Sequence, residues 1–365
     1  MKYYIIAGEA SGDLHGSNLI KALKIKDAQA DIRAWGGDMM EKAGANIVKH
    51  YKDLAFMGFI EVVMNLKTIM TNLKFCKVDI QSFQPDVLVL IDYPGFNLRI
   101  AEWAKKQGIK VVYYISPQIW AWKENRIHKI KASVDEMIVI LPFEKDFYKK
   151  HQMPVHYVGH PLTEVVDATL QAPSTLPAYE KPVVALLPGS RNQEINTSLP
   201  IMMEMVKAYP QYQFIIAQAP SQPAENYAKY IAGTDVQIIP GKTYDILKIA
   251  KAALVTSGTA TLETALFSVP QIVCYKGNPV SYWLARKLIK VKYISLVNLI
   301  LDKPAVLELI QHDFNFKTLQ LHFDALLNDV ETRDRMFTDY AKLWELLGDG
   351  SASEKAAAII YKSGC

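Results

Sequence analysis

The feature that most constrains this chain is a regular alternation of short apolar runs with longer amphipathic stretches. "KYYIIAG" precedes a helical pattern at 15–25, "DVLVLID" (86–92) precedes another at 96–107, and "KVVYYIS" (110–116) and "EMIVIL" (136–141) follow. After residue 180 the alternation restarts with "PVVALLPG", "QFIIAQ", "AALVTSG" and "QIVCY". Continuous Val, Ile, Leu and Tyr strands between amphipathic segments are what parallel sheets covered on both faces require. The pattern predicts an α/β chain of two doubly wound domains in tandem. Ligand is expected at the carboxyl ends of the strands and in the cleft between the domains. At 365 residues the chain is too long for one ordinary core. The Pro-, Ala- and Ser-rich stretch 169–182, without a period, is the expected linker. Domains are therefore expected at 1–168 and 180–345, followed by a C-terminal helix at 346–365.

Composition narrows the function classes. A net charge of +4 with scattered lysines gives no basic stripe, so nothing points to nucleic acid. Three distant cysteines fit a reducing cytoplasm and neither a disulfide framework nor a thiolate metal site. The N-terminal apolar run breaks into Gly and Asp too early for a signal peptide, and no stretch reaches the roughly 20 apolar residues of a spanning helix. The expectation is a soluble protein, or one resting on a membrane surface.

The motifs sit where strands hand over to helices. "AGEASGDLHG" (7–16) carries Gly8, Gly12 and Gly16 at intervals of four, matching neither a dinucleotide fingerprint nor a P-loop. Either the glycines serve packing, with Ser11 or Asp13 as the helix cap, or they line a substrate cleft. In "LIDYPGFNLRIA" (90–101), Asp92 ends a strand before a Pro-Gly turn. It reads as a general base or as the cap of the next helix. "YYISPQIWAWKENRIHKIK" (113–131) joins Trp120 and Trp122 to Lys123, Arg126 and Lys129, which suits plain core or an anionic amphiphile. His15 and His160 (in "VGHPL") are lone histidines, more often structural than catalytic. No His/Cys cluster or H-E-x-x-H appears, so no dedicated metal site is expected. The stretch 55–73 is apolar nearly all round. It reads as a buried helix, or as an acyl groove or membrane-contact surface.

Two further turns favour anions. "LPGSRNQEI" (187–195) sets Arg191 at a strand-to-helix turn, and "VTSGTATLE" (255–263) offers Ser257, Gly258 and Thr259 at a helix start with Glu263 one turn in. Free N–H groups and the helix dipole favour phosphate at such places. Two of them in one α/β domain point to a nucleotide diphosphate, with Glu263 on the ribose hydroxyls.

In this order, "GEASGD", "LIDYPGFN", "YYISPQIWAW", "VGHPL", "LPGSRNQEI" and "SGTATLE", spread over most of residues 1–311, closely resemble the lipid-A-disaccharide synthase family. The resemblance implies an inverting glycosyltransferase of the GT-B arrangement, with two facing Rossmann-like domains, and no cofactor. It implies transfer of 2,3-diacylglucosamine from UDP-2,3-diacylglucosamine to the 6-hydroxyl of 2,3-diacylglucosamine 1-phosphate, giving the β-1,6 disaccharide and UDP. By position, Asp92 matches the family's essential aspartate. Gly189, Ser190, Arg191 and Gln193 match its diphosphate turn, and Ser257, Gly258, Thr259 and Glu263 its nucleotide-binding helix start. Gly12, Asp13 and His15 fall in the first motif. Asn298, Glu308 and Gln311 fall in a looser match at 295–311, where Leu307 replaces an expected proline and Ile310 a leucine. The basic cluster at 123–131 and the apolar stretch 55–73 predict salt-sensitive binding to an anionic membrane, so peripheral association with the cytoplasmic face of the inner membrane is expected. By the resemblance, the final helices cross back to the first domain or are exchanged in a homodimer. Two other readings remain: a UDP-N-acetylglucosamine epimerase or transferase to another lipid, and a non-catalytic nucleotide-sugar-binding protein.

Overall fold

A computed structural model describes residues 1–54, 66–278, 282–283 and 291–365. The chain divides into two compact units, Met1–Pro161 with Leu347–Cys365, and Leu162–Leu346.

The first unit holds a seven-stranded sheet: β1 (Lys2–Ala7), β2 (Asp31–Gly36), β3 (Asn46–His50), β4 (Val87–Ile91), β5 (Lys110–Tyr114), β6 (Glu136–Val139) and β7 (His156–Tyr157). The order is β3-β2-β1-β4-β5-β6-β7, and every pairing is parallel. β1 and β4 are wholly apolar along their paired length because helices cover both faces. Tyr3, Ile5, Leu88 and Leu90 are fully buried. β2 and β3 escaped the sequence reading because their residues are mixed. Arg33 on β2 reaches out to pair with Asp79, which also accepts from the Tyr4 hydroxyl. Strand order reverses between β1 and β4, and at such a switch point the helices diverge to opposite faces and leave a crevice.

The second unit repeats the winding with six strands: β8 (Val183–Leu187), β9 (Gln213–Gln218), β10 (Gln237–Pro240), β11 (Ala250–Thr256), β12 (Gln271–Tyr275) and β13 (Leu307–Ile310). All are parallel, in the order β10-β9-β8-β11-β12-β13. This is the Rossmann order, with its switch point between β8 and β11.

The first unit ends at Pro161 rather than at 168, because the helix Leu162–Leu170 packs on helices Thr243–Ile249 and Thr259–Leu266 of the second unit. The stretch 169–182 is irregular but is no free linker. The hydroxyls of Ser174 and Thr175 bind Asp245, and Lys248 donates to the Ala172 carbonyl. At the other end the chain re-enters the first unit at Leu347, whose carbonyl accepts the His160 N–H at 2.8 Å. The helix Ala352–Gly364 then packs on the helix Ala10–Lys26.

Of the apolar stretch 55–73, residues 55–65 lie outside the described residues. The remainder opens the helix Leu66–Phe83, where Leu73 is buried but Met70 is 60% exposed. That part is amphipathic rather than buried all round.

Candidate active site

At the first switch point Gly8 follows β1 and Asp92 follows β4. Asp92 and Tyr93 both adopt left-handed backbone angles (φ 42° and 47°), which non-glycine residues take up only where surroundings compel them. Three contacts supply the compulsion. The Asp92 carbonyl accepts from the Tyr113 hydroxyl at 2.6 Å and from Asn97 Nδ2 at 2.8 Å. The Tyr93 ring lies over Gly8, where a Cβ would fall 2.4 Å from the ring. Tyr93 is also the N-cap of the helix Pro94–Lys106 and makes no side-chain cap hydrogen bond. Asp92 therefore does not cap this helix. Its half-buried carboxyl is pushed up to about 7, first by burial and then by the nearby Glu9 carboxylate, against a hydrogen bond from Tyr93 N–H. A carboxylate with a proton affinity near neutrality at a strand's carboxyl end suits general-base work.

The other first-motif residues do different jobs. Asp13 does not cap its own helix, whose N-cap Glu9 makes no side-chain cap bond. Its carboxylate instead accepts from Gly37, Met39 and Met40 N–H at 2.8–3.1 Å, closing the start of the short helix Asp38–Lys42. With both oxygens spent on backbone donors, Asp13 holds the fold. Gly12 is also a packing residue, since a Cβ there would sit 3.0 Å from the Ala7 Cβ. The rings of His15 and His160 meet edge to face at 6.3 Å. Burial lowers His15 to about 4, and burial with the neighbouring ring lowers His160 to about 3, so both are neutral at pH 7.

The tryptophan segment follows β5. Ile115 leaves the strand at φ 64°, a strained state for a β-branched residue. Trp120 is anchored, its indole N–H donating to Glu144 at 3.2 Å, while Trp122 is 50% exposed. Glu144, 1% exposed, also accepts from Ile140 and Leu141 N–H. Burial raises it to about 7.

At the second switch point β8 runs into the Pro188–Arg191 turn. Gly189 has φ 113°, and a Cβ there would lie 2.5 Å from the Glu194 carboxylate. Glu194 folds back over it, accepting from Ser190 N at 3.0 Å, Arg191 N at 3.2 Å and Arg191 Nη1 at 3.0 Å. The Ser190 carbonyl is held from the next loop by Ser221 Oγ and Gln222 Nε2. Arg191 is thus exposed but braced at the N-terminus of the helix Asn192–Ala208, while Gln193 is exposed on its first turn. Glu194, Ser221 and Gln222 were missed from the sequence. For Glu194 the capping-box spacing, N-cap plus three, was the available signal.

β11 delivers Ser257, Gly258 and Thr259 beside that turn, since β8 and β11 pair directly. A Cβ at Gly258 would meet no described atom within 4 Å, so a ligand's phosphates can approach the backbone there. The Ser257 hydroxyl is committed to the Ile294 carbonyl at 2.9 Å. Glu263 accepts from the Tyr244 hydroxyl at 2.9 Å, and burial raises its proton affinity.

The 295–311 candidates act mainly on one another. Asn298 donates to the Val306 carbonyl and to Glu308, and accepts from Val306 N. Glu308 further accepts from Ile294 N, Ser295 N and Ser295 Oγ. This network ties β13 to the segment that covers Ser257. Gln311 stands just beyond β13 at φ 55° with its side-chain Nε2 buried and unbonded. Among the described residues, no three His, Cys, Asp or Glu side chains are grouped to hold a metal ion.

Two parallel sheets of Rossmann winding define the class: the chain has the GT-B fold. Solved structures of that fold include the UDP-GlcNAc 2-epimerase of Neisseria meningitidis bound to UDP-GlcNAc (TM-score 0.70, 13% identity, 99% of this chain and 100% of that one). The glycosyltransferase SnogD of Streptomyces nogalater also shares it (TM-score 0.58, 14% identity, 99% of both). Sequence goes further. The family model described as lipid-A-disaccharide synthetase matches residues 3–360. Proteins named lipid-A-disaccharide synthase are 40% identical in Syntrophus aciditrophicus (99% of this chain, 98% of that one) and 38% identical in Geobacter metallireducens (98% and 96%). The chain belongs to the lipid-A-disaccharide synthase family.

Proposed function

We propose that the chain transfers 2,3-diacylglucosamine from UDP-2,3-diacylglucosamine to the 6-hydroxyl of 2,3-diacylglucosamine 1-phosphate, with inversion. The observation that carries this reading is the Asp92 carboxyl, set at the end of β4 by a left-handed turn and raised to about 7 by burial and then by Glu9. Asp92 takes the proton of the acceptor's 6-hydroxyl as its oxygen bonds to the donor's anomeric carbon. The bond from that carbon to the diphosphate oxygen breaks on the opposite face, and UDP leaves. Arg191 and the N–H groups at 258–259 take up the charge that develops on the diphosphate. The N–H groups of Ser190 and Arg191 serve a different purpose, because Glu194 already occupies them. Glu263 and Gln311 are the nearby candidates for ribose or base contacts.

An acyl-sugar substrate places the enzyme at the anionic cytoplasmic face of the inner membrane. Among the described residues no helix is long and apolar enough to cross it. Exchange of the last helices in a homodimer belongs to the same reading.

The test incubates purified protein, with EDTA present, with both substrates and detects disaccharide 1-phosphate and UDP by mass spectrometry. Product that disappears in Asp92→Asn supports the assignment. UDP binding without product from any acyl-glucosamine acceptor would overturn it in favour of a binding protein, and conversion of a UDP-sugar alone in favour of an epimerase.

A further inference from the structure

Three cations gather beyond β4 and β5. Lys123 Nζ sits 3.9 Å from the centre of the exposed Trp122 ring, and the Arg126 guanidinium lies 5.9 Å from the same ring. Arg99, exposed on the helix that follows Asp92, is close enough to Arg126 to disfavour its charge. Among the described residues none of the three forms an ion pair. The carboxylates nearby are engaged elsewhere: Glu102 pairs with Lys129 at 3.1 Å and Glu124 with His151 at 3.2 Å. Burial, then neighbouring positive charge, holds Lys123 and Arg126 below their ordinary proton affinities.

Such a gathering is unfavourable in the free protein and becomes favourable when an anion arrives. Its position selects the anion. Arg126 acts on the Tyr113 phenol, and that hydroxyl holds the Asp92 carbonyl at 2.6 Å. The cluster therefore belongs to the same end of the same sheet as the base. The strained Ile115 and the Trp120–Glu144 anchor fix the segment that carries it.

We propose that Lys123 and Arg126, set around the Trp122 indole, with Arg99 beside Arg126, bind the phosphomonoester of the acyl-sugar acceptor. The guanidinium of Arg126 offers the paired donors that a phosphate dianion accepts, and the indole offers a flat apolar face to the sugar. This inference rests on the activity proposed above. It adds that the acceptor's phosphate, and not its acyl chains alone, is recognised, and that the first unit does it.

The experiment uses the full chain and compares kcat/KM for 2,3-diacylglucosamine 1-phosphate with that for dephosphorylated 2,3-diacylglucosamine. Arg126→Ala and Lys123→Ala are expected to reduce the preference for the phosphorylated acceptor about ten- to a hundredfold, the range for losing a charged hydrogen bond. Arg126→Lys, which keeps the charge and loses the fork, should fall between. A preference that survives in both alanine variants overturns the cluster's role and leaves the activity standing. No product from either acceptor in the unmodified chain overturns the activity, and the cluster's role with it. Co-sedimentation with phosphatidylglycerol and phosphatidylcholine vesicles separates the two sources of phosphate. Variants that lose only binding to the anionic vesicles, with acceptor preference intact, would assign the cluster to the membrane surface instead.

Discussion

The ring of Tyr93 lies on the backbone of Gly8, so the turn that presents Asp92 is propped against the end of the neighbouring strand. β1 and β4 are hydrogen-bonded along their length, and beyond their ends this side-chain-to-backbone contact joins the Tyr113 and Asn97 hydrogen bonds to the Asp92 carbonyl in setting the left-handed pair Asp92–Tyr93. Gly8→Ala puts a methyl 2.4 Å from the ring. The expected cost is about 1–3 kcal/mol, the usual penalty for overpacking, with loss of turnover as Asp92 moves. Urea denaturation within 0.5 kcal/mol of the unmodified chain would show that the turn does not depend on this contact.

Asp92→Asn should lower kcat on the order of a hundred- to ten-thousandfold, the contribution of a positioned base. The unmodified chain should show an acidic limb in its rate profile near pH 7. The same group bears on stability. Because its folded proton affinity is raised above the ordinary carboxylate value, the charged form is disfavoured in the fold. Stability is therefore lost as pH rises from about 4 towards 7. The melting temperature of Asp92→Asn should gain on the unmodified chain over that interval. A constant difference would remove burial as the cause of the shift.

The histidine pair has the opposite sign. His15 and His160 are held down to about 4 and about 3, so the unfolded chain takes up their protons first as pH falls below 6.5. Stability should drop between pH 6.5 and 4, and His160→Gln should flatten that drop in thermal melts. Proton uptake on unfolding at pH 5 that is equal in variant and parent would contradict neutral burial.

Arg191→Ala should cost about 3 kcal/mol of transition-state stabilisation, more than a hundredfold in kcat/KM. Glu194→Ala removes the acceptor of the two N–H groups at the helix start and should cost about 1 kcal/mol of stability, the scale of a lost cap. Glu194→Gln keeps an acceptor there and should retain most of it. Near-normal turnover in Arg191→Ala would dismiss the clamp.

The Asn298–Glu308 network should report as structure. Asn298→Ala breaks contacts to Val306 and Glu308 at a side chain that is 1% exposed. Leaving those buried groups unpaired should cost about 1–3 kcal/mol. A chemical-denaturation midpoint equal to that of the parent would count against this account.

Local sequence determined the strands that matter. β1, β4, β5, β6, β8, β9, β11 and β12 are buried on both faces, and a strand buried on both faces must be a continuous apolar run, readable without its neighbours. The turns after β1, β4, β8 and β11 were legible for the same reason, as Gly, Pro, Asp and Arg interrupt those runs. β2 and β3, which carry Arg33 and Lys49, gave no such run. What only the tertiary structure decided is the job of each polar residue. Asp13 and Asp92 look alike in sequence, each acidic and each near a glycine just past an apolar strand. One meets the N–H groups of Gly37, Met39 and Met40 and is consumed as a cap. The other meets Glu9 and an apolar surround and is left with a raised proton affinity. A carboxylate's role is set by the donors and charges within a few ångströms, and the chain brings those from tens of residues away.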